Sequence, residues 1–395
     1  MRQSSTFFSL LVLSLAYFAM GVAGLAVVGA LPTIAQGLAA SRADIANAVA
    51  AFAITFAIAA PAVQIFLAHV PRRTLLLRGL GMMALGTLLS ALAPSNAGFI
   101  ATRVVAALGA SAVGPVASVI GASIVPREQQ GRALATVFSG MTMASVLGVP
   151  LSAWLAVHLG WRPMMLGVAC FGLLACALSA GFVRDRDESA PMTLSKFLSV
   201  AKEKSIAFGI AVMALEMAGM FVTYTMISPM LHERFHATVG QVSFALFMLG
   251  LAGLAGNTIA KRIGDVWPAE RSVAIALGIL GLAFIGLFAA PASLSIAIAL
   301  IALWAIGNDL FMPSQQRRLI GLAPESRGLV LAMNSSAIYI GMSAGSYASG
   351  RIYSVFGVAP LPLVTAIFML AALAALWLSH RSQVRATGAC PACIS

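Results

Sequence analysis

Residues 272–290 read SVAIALGILGLAFIGLFAA, a stretch of apolar and small residues without a charge. A helix rises about 1.5 Å per residue, so a stretch of this length nearly crosses the hydrocarbon core of a bilayer, which is about 30 Å thick. The apolar residues form neither a one-sided stripe nor an alternating pattern. The stretch therefore predicts a helix that faces apolar surroundings on all sides and crosses a membrane.

Similar stretches recur along the whole chain, separated by charged residues, prolines and glycines. Backbone amides inside lipid must bond within their own segment, and the sequence lacks the short alternating segments of a barrel. We therefore predict an all-α membrane protein with twelve transmembrane helices. The predicted spans are 7–31, 45–67, 74–93, 98–124, 133–158, 163–183, 205–230, 242–260, 272–290, 294–316, 328–353 and 361–379.

The composition agrees with a membrane location. Of the 395 residues, 60% are hydrophobic and 9% are charged, and the mean hydropathy is +0.97. A soluble domain has roughly 25% charged residues. The first stretch is too long for a cleaved secretion signal, whose apolar core has about 7–15 residues, so we predict an uncleaved first span. The expected location is the bacterial inner (plasma) membrane.

The lysines and arginines predict the orientation. With a cytoplasmic N-terminus, 19 of the 24 lie on the cytoplasmic side, four lie on the outer side and Arg103 lies inside a span. Positively charged loops tend to stay in the cytoplasm, so we predict that both termini are cytoplasmic. The net charge of +12 follows from this topology, and we expect no nucleic acid partner.

One long hydrophilic segment, 184–204, divides the chain into halves of six spans. Gly131 and Gly148 in the first half have counterparts in Gly328 and Gly345, both 197 residues later. Repeats of this kind place a substrate site at the interface of the halves near the middle of the membrane. The predicted organisation is an N-terminal bundle (1–183), a cytoplasmic linker (184–204), a C-terminal bundle (205–380) and a cytoplasmic tail (381–395).

Several short motifs carry a resemblance to a known family. They are Gly148-Val149-Pro150 with Gly160-Trp161-Arg162, Leu31-Pro32-x-Ile34-Ala35, Pro71-Arg72-Arg73, Arg103 with Gly109, and Asn334-Ser335-Ser336. The chain resembles the major facilitator superfamily over essentially its whole length, in the twelve-helix drug and sugar efflux branch related to arabinose-efflux permeases. The loop between spans two and three departs from the family pattern, because Gln64 and His69 stand where a glycine and an aspartate are usual.

The resemblance implies a secondary transporter that exports a small organic molecule (a drug, sugar or metabolite) in exchange for protons, by alternating access. It implies that Gly148 and Pro150 form an antiporter motif and that Arg72 and Arg73 act in gating. It also implies that spans one, four, seven and ten line a central cavity. Small residues and a proline allow close but deformable helix packing, whether or not they take part in exchange.

Two of the twelve acids, Glu216 and Asp309, lie inside predicted spans, with Asp309 expected nearer the cytoplasmic side. A charge at the centre of a membrane helix costs about 2.5–3.5 kcal/mol on insertion scales, so these acids require a functional or structural reason. A carboxyl that is alternately wet and dry can load and release a proton. We predict that Glu216 or Asp309 carries the coupling proton, and that Arg103 tunes its affinity or closes a salt bridge in one state. The alternatives are a structural hydrogen-bonded carboxyl for Glu216, a helix-packing or gate contact for Asp309 and a structural strut for Arg103.

Polar and aromatic residues on the same or adjacent spans are predicted to bind the substrate. They are Tyr17, Thr223, Tyr224, Asn308, Asn334, Ser335 and Tyr339, and bonds between helices are the alternative role for each. No Walker motif is present, so we expect no cofactor and a proton gradient as the energy source. We expect a monomer in the lipid bilayer, with protons and a small-molecule substrate as its partners.

Two other functions compete with export. One is a proton symporter that imports a small nutrient. The other is a membrane-embedded zinc metalloprotease, because His232-Glu233-x-x-His236 matches the pattern in which two histidines one helical turn apart bind zinc. The segment is predicted to be a short outer loop without an evident third ligand. The antiporter motif favours export, and the expected protein is not an enzyme.

Overall fold

The computed structural model describes residues 2–67, 69–126, 129–183, 200, 202–264 and 266–387. These residues form helices and no strand, which confirms the all-α fold class. The first half contains α1 (Arg2–Gly29), α2 (Leu31–Gly37), α3 (Arg42–Phe66), α4 (Arg72–Leu92), α5 (Asn96–Ser123), α6 (Gln130–Met143), α7 (Val149–His158) and α8 (Trp161–Phe182). The second half contains α9 (Lys204–Tyr224), α10 (Ile227–Phe235), α11 (Val239–Gly264), α12 (Ala269–Ala289), α13 (Leu294–Leu322), α14 (Arg327–Phe356) and α15 (Leu361–Thr387).

Helix starts are set by capping residues and glycine. Ser41 and Asp44 form a capping box at the start of α3, which satisfies otherwise free amides. Gly160 has a φ of 94°, a conformation that favours glycine, and it starts α8 directly after α7. Trp161 is buried behind it, and Arg162 Nη2 donates to the Ala93 carbonyl at 3.1 Å. The Gly-Trp-Arg motif is thus a tight corner that joins spans five, six and three.

The predicted spans coincide with helices of this structure. Among the described residues, eleven helices are long and apolar enough to cross a membrane. The remaining predicted span, 328–353, coincides with α14, a helix of 30 residues. Its serines make α14 more polar than the others, and several of them bond to neighbouring helices; for example, Ser349 Oγ donates to the Val222 carbonyl at 2.7 Å. The helices and the order of the spans therefore follow the prediction.

The ends of three predicted spans are wrong. The span at 205–230 ends at Tyr224, and a separate helix, α10, follows from Ile227, because hydropathy cannot detect a break inside an apolar run. The span at 7–31 similarly becomes α1 followed by α2. The last helix continues to Thr387, inside the predicted tail. Most of the predicted linker, 184–199 and 201, and the end of the tail, 388–395, lie outside the described residues.

Span five is not a regular α-helix. A π-helical turn, Ala144–Gly148, joins α6 to α7 directly before Pro150. A proline inside a helix removes an amide donor and clashes with the preceding turn, and π-turns are common where helices bend at functional sites. The Gly148-Val149-Pro150 motif is thus the site of a local change in helical geometry.

The two predicted repeat glycines make equivalent contacts. A Cβ at Gly148 would collide with Val22 of α1, and a Cβ at Gly345 would collide with the Ala218 carbonyl of α9. Val22 and Ala218 are 196 residues apart, close to the offset of 197 between the two glycines. The same helix contact therefore occurs once in each half, as expected for parallel repeats.

Two seams join the halves. Helix α3 packs against α14, and α7 with its preceding π-turn packs against α11. In the second seam, Gly250 of α11 lies against the backbone of Val146, so closely that a Cβ at residue 250 would have no room. In the first seam, a Cβ added to Gly350 would lie 3.0 Å from the Ala43 carbonyl oxygen. Glycines thus allow the halves to approach at both seams.

We expect Gly250→Leu to reduce transport by at least about tenfold, because overpacking costs about 1–3 kcal/mol and this contact joins two halves that must move. The rate of uptake into proteoliposomes, normalised to the amount of inserted protein, measures the effect. Gly278→Leu on α12 is the matched control, because an added Cβ there meets nothing within 4 Å. Transport by Gly250→Leu at the normal rate would show that this seam does not take part in the conformational change.

Candidate functional site

A cavity of about 420 Å³ lies between the halves. Its volume is within the range of about 300–1,000 Å³ that is typical of small-molecule sites. Helices of both halves form its wall, including α1, α3 and span five from the first half and α9, α11, α13 and α14 from the second. Gln316 on its wall is exposed and lies toward the predicted cytoplasmic end of α13, so the wall includes an exposed side chain at that end.

The two acids inside the spans lie on neighbouring helices, α9 and α13, which are joined by the bond from Trp304 Nε1 to Met220 Sδ at 2.7 Å. Asp309 lines the cavity and lies about halfway along α13, which continues to Leu322. Glu216 is fully buried, and neither of its carboxylate oxygens has a hydrogen-bond partner among the described residues. Met217, its neighbour along α9, lines the same cavity as Asp309. One carboxyl therefore lies on the cavity wall and the second is buried next to a wall residue.

Arg103 lies in the opposite half, on α5, and is fully buried. Its Nη2 donates to the Gly24 carbonyl at 3.3 Å, and its guanidinium lies 4.4 Å from the centroid of the Phe52 ring. Gly24 and Phe52 belong to the cavity wall, and Arg103 does not. Within the described part of the chain, no ion pair joins Arg103 to Glu216 or Asp309. Its predicted role in tuning the proton remains a prediction.

Three predicted substrate residues, Tyr224, Asn308 and Tyr339, line the cavity. The Tyr339 ring is stacked on Phe56 of α3, with 3.7 Å between the ring centroids. Tyr224 meets Trp304 edge to face, with centroids 6.0 Å apart. These rings are therefore held in place by other rings, so the cavity wall has rigid aromatic parts.

The other four predicted substrate residues are not part of the wall. Tyr17 bonds to Ser118 at 3.2 Å, and Thr223 bonds to Thr365 at 2.7 Å. Asn334 is buried, whereas Ser335 is exposed and donates to the Leu331 carbonyl at 3.0 Å. Bonding between helices, the alternative role, describes the contacts of Tyr17 and Thr223, whereas Ser335 bonds within its own helix.

Helical periodicity could have revealed cavity residues that the prediction missed. On α13, the wall includes Trp304, Asn308, Met312 and Gln316, which recur every four residues around Asp309. Residues at this spacing share one face of a helix. On α9, the cavity face is Met217, Met220, Phe221 and Tyr224, next to the face of Glu216. The missed residues are apolar or neutral, so nothing in their type separated them from ordinary packing.

The four predicted gating residues make contacts within the first half. Gly148 lies against Val22, and Pro150 follows the π-turn of span five. Arg72 and Arg73 begin α4, and Arg73 Nη2 donates to the Ala180 carbonyl at 2.5 Å. This bond ties α4 to α8 of the same half. Their part in gating remains a prediction.

The predicted outer ends of the halves are held together by polar contacts. Arg42 at the start of α3 forms an ion pair with Glu233 of α10, and its Nη1 donates to Tyr353 Oη of α14 at 2.8 Å. Tyr353 Oη donates in turn to Glu233 Oε1 at 2.9 Å. Nearby, Ser228 Oγ donates to the Gly29 carbonyl at 3.2 Å. We call Arg42, Glu233 and Tyr353 the outer clasp.

The HExxH segment has a different environment from the one that a zinc site requires. It lies at the end of helix α10, not in a loop as predicted, and His232 Nδ1 bonds to the Ala237 carbonyl at 3.0 Å. Its Glu233 belongs to the outer clasp. Among the described residues, no three His, Cys, Asp or Glu side chains are grouped so that they could hold a metal.

Comparison with known proteins defines the class of this protein. Residues 13–213 and 206–389 match the sequence profile of the Major Facilitator Superfamily. The chain belongs to this family of membrane transporters. It is a multi-span membrane transporter and not an enzyme, which overturns the zinc metalloprotease alternative.

Individual relatives cover nearly the same length. The inner membrane transport protein YdhP of Escherichia coli (strain K12) is 30% identical over 382 residues, which cover 95% of this chain and 97% of YdhP. A probable sugar efflux transporter of Pasteurella multocida is 23% identical over 301 residues, 76% of this chain and 74% of that protein. The inward-facing, unoccupied crystal structure of a bacterial homolog of the human lysosomal transporter Spinster has the same fold, with a TM-score of 0.80 at 17% identity over 96% of this chain and 98% of that one.

Proposed function

We propose that this transporter is a secondary antiporter that exports a small organic molecule in exchange for protons, by alternating access. The observation that carries the proposal is the pair of carboxyls on two neighbouring helices of the central cavity. Asp309 lies on the wall, and Glu216 is buried next to the wall residue Met217 without a hydrogen-bond partner among the described residues. Ionisable groups inside a membrane protein are costly and mark ion or substrate pathways by default. A carboxyl between wet and dry surroundings can take up a proton on one side and release it on the other.

The arrangement of the halves supports alternating access. The outer clasp and the contact of Gly350 with Ala43 close the predicted outer end, and the cavity wall reaches exposed Gln316 at the opposite end. We infer from these contacts that the arrangement is an inward-facing state of the transport cycle. Rocking of the two halves around the cavity would open the outer end in the other state. Export is the direction supported by the efflux relative.

The outer clasp gives a prediction of modest size. We expect Glu233→Gln to raise the reactivity of a cysteine at Ser228, which is buried at the closed end, toward a membrane-impermeant maleimide by up to about fivefold. An ion pair between partly exposed side chains contributes about 0.2–1 kcal/mol, and opening shifts the population by the corresponding factor. The native cysteines are replaced by alanine first.

Glu325→Gln, a change of an exposed acid far from the clasp, is the control for this experiment. It should leave the labelling rate unchanged. Equal labelling rates in Glu233→Gln and the parent would show that the clasp does not hold the outer end closed.

Gradient-driven uptake into proteoliposomes tests the proposed function. Purified protein is reconstituted, a pH gradient is imposed, and a panel of labelled sugars, amino-acid derivatives, amines and neutral aromatic drugs is offered. An antiporter accumulates its solute in the lumen when the lumen is the more acidic side. Protons then leave the lumen as the solute enters. Accumulation with protons moving in the same direction would identify a symporter, and transport unaffected by the gradient would contradict proton coupling.

A further inference from the structure

The wall of the central cavity carries a single kind of charge. Apart from tyrosines, Asp309 is the one ionisable residue among the described residues that line the cavity. These lining residues include no lysine, arginine or histidine. In a site of low dielectric constant, an unbalanced carboxylate attracts cations and repels anions strongly. The charge of the wall therefore discriminates against anionic solutes.

Arg103, a buried basic residue of the first half, contacts two wall residues and is not itself part of the wall. Arg103 lies behind Gly24 and Phe52, with its guanidinium over the Phe52 ring and its Nη2 on the Gly24 carbonyl. Its charge is therefore covered by wall residues and takes one hydrogen bond there. A solute in the cavity meets the ring of Phe52 and not the guanidinium.

The remainder of the wall suits a bulky apolar body. Six methionines line it: Met20, Met141, Met217, Met220, Met312 and Met342. Methionine side chains adapt to different shapes, and aromatic faces attract cations within about 6 Å. Phe52, Phe138, Phe221, Tyr224, Trp304 and Tyr339 supply such faces.

The same wall is poorly suited to a sugar. The Nε1–H group of Trp304, the one indole donor on the wall, already donates a hydrogen bond to Met220 Sδ at 2.7 Å. The amide side chains of the wall are Asn308 and Gln316, near Asp309 in sequence, and Asn257 on the facing helix α11; Asn308 is already hydrogen-bonded to Asp309. A solute with hydroxyls on every side would leave many of them without a partner, which is costly in a buried site.

From this arrangement we propose that the substrate is a monovalent organic cation with an aromatic or otherwise apolar body, whose charge is held by Asp309 and whose body lies among the methionines and aromatic rings. This inference rests on the proposed function and narrows its substrate class. Because the wall carries a single carboxylate, we expect the substrate to carry a single positive charge. The shared chemistry is that of a quaternary ammonium, a protonated amine or a phosphonium ion.

Equilibrium binding without any gradient tests the substrate class. Tetraphenylphosphonium and tetraphenylborate have nearly the same size and shape and opposite charges, so the pair isolates the effect of charge. We expect purified protein to bind tetraphenylphosphonium at least about tenfold more tightly than tetraphenylborate, and Asp309→Asn to lose this preference. Binding to Asp309→Asn also measures the partition of each ion into detergent.

Two further variants keep the result interpretable. Glu325→Gln, which changes an exposed acid, should bind tetraphenylphosphonium as the parent protein does. Asp309→Asn/Gln316→Glu places a carboxylate two turns along the same face of α13 and should recover part of the preference if charge, and not folding, is decisive.

Equal binding of the two ions by the parent protein, or an unchanged preference in Asp309→Asn, would overturn this inference. The outcome is separate from that of the proposed function. Proton-driven transport of a neutral solute would support the antiporter proposal and contradict the organic-cation proposal. Binding of tetraphenylphosphonium without proton-driven transport would support the organic-cation proposal and contradict the antiporter proposal.

Discussion

Asp309→Asn is expected to reduce both counterflow and gradient-driven transport by at least about 100-fold. Asp309 supplies the charge on the cavity wall, and removing one partner of a buried charge interaction costs about 3–5 kcal/mol. The substitution is nearly isosteric, so the helix contact with Gly253, against which the Asp309 carboxylate lies, is kept. Initial rates of counterflow in proteoliposomes measure the loss.

Glu325→Gln is the matched control, because it also neutralises one acid but at an exposed position. It should transport at the normal rate. The elution profile of each variant from a sizing column establishes that it is folded. If folded Asp309→Asn exchanged solute within about twofold of the parent, Asp309 would not belong to the transport site.

Glu216→Gln is expected to separate solute exchange from proton movement. Because Glu216 is buried and is not part of the wall, a glutamine of the same shape should leave counterflow within about threefold of normal. It cannot carry a proton, so an imposed pH gradient should no longer drive accumulation. Parallel measurements of counterflow and gradient-driven uptake in the same proteoliposomes show the separation.

The comparison with Asp309→Asn makes this result specific. Asp309→Asn should lose both activities, whereas Glu216→Gln should lose one. Gradient-driven accumulation by Glu216→Gln at the normal level, with an unchanged dependence on pH, would assign the coupling proton to another group. Loss of counterflow as well would place Glu216 in the binding site.

The fold was predictable because membrane spans depend on length and hydropathy alone. Runs such as 272–290 determine a helix that crosses lipid, and the helix α12 (Ala269–Ala289) follows that run. The breaks were not predictable in the same way. Thr225 and Met226 interrupt an apolar run, and the π-turn Ala144–Gly148 depends on packing around Gly148. Hydropathy contains no information about either.

The site was predictable where charge has a cost. Glu216 and Asp309 stood out because acids inside spans are rare, and the structure places them on α9 and α13, two helices that line the same cavity. Thr223 and Ser335 were selected for polarity, and their hydroxyls bond to other helices or to their own helix. Trp304 and the methionines line the cavity, but in a sequence that is 60% hydrophobic their type is unremarkable. Only the three-dimensional arrangement of the helices distinguishes the residues that line the cavity from the residues of the packed core.

Proton release on substrate binding tests the central claim most directly. The solute identified by counterflow is added to detergent-purified protein in a weakly buffered solution with a pH indicator. We predict the release of about one proton per bound solute by the parent protein and none by Glu216→Gln, which should still bind the solute. Equal proton release per bound solute by both proteins, or binding to the parent protein without any release at every pH, would contradict proton exchange at Glu216.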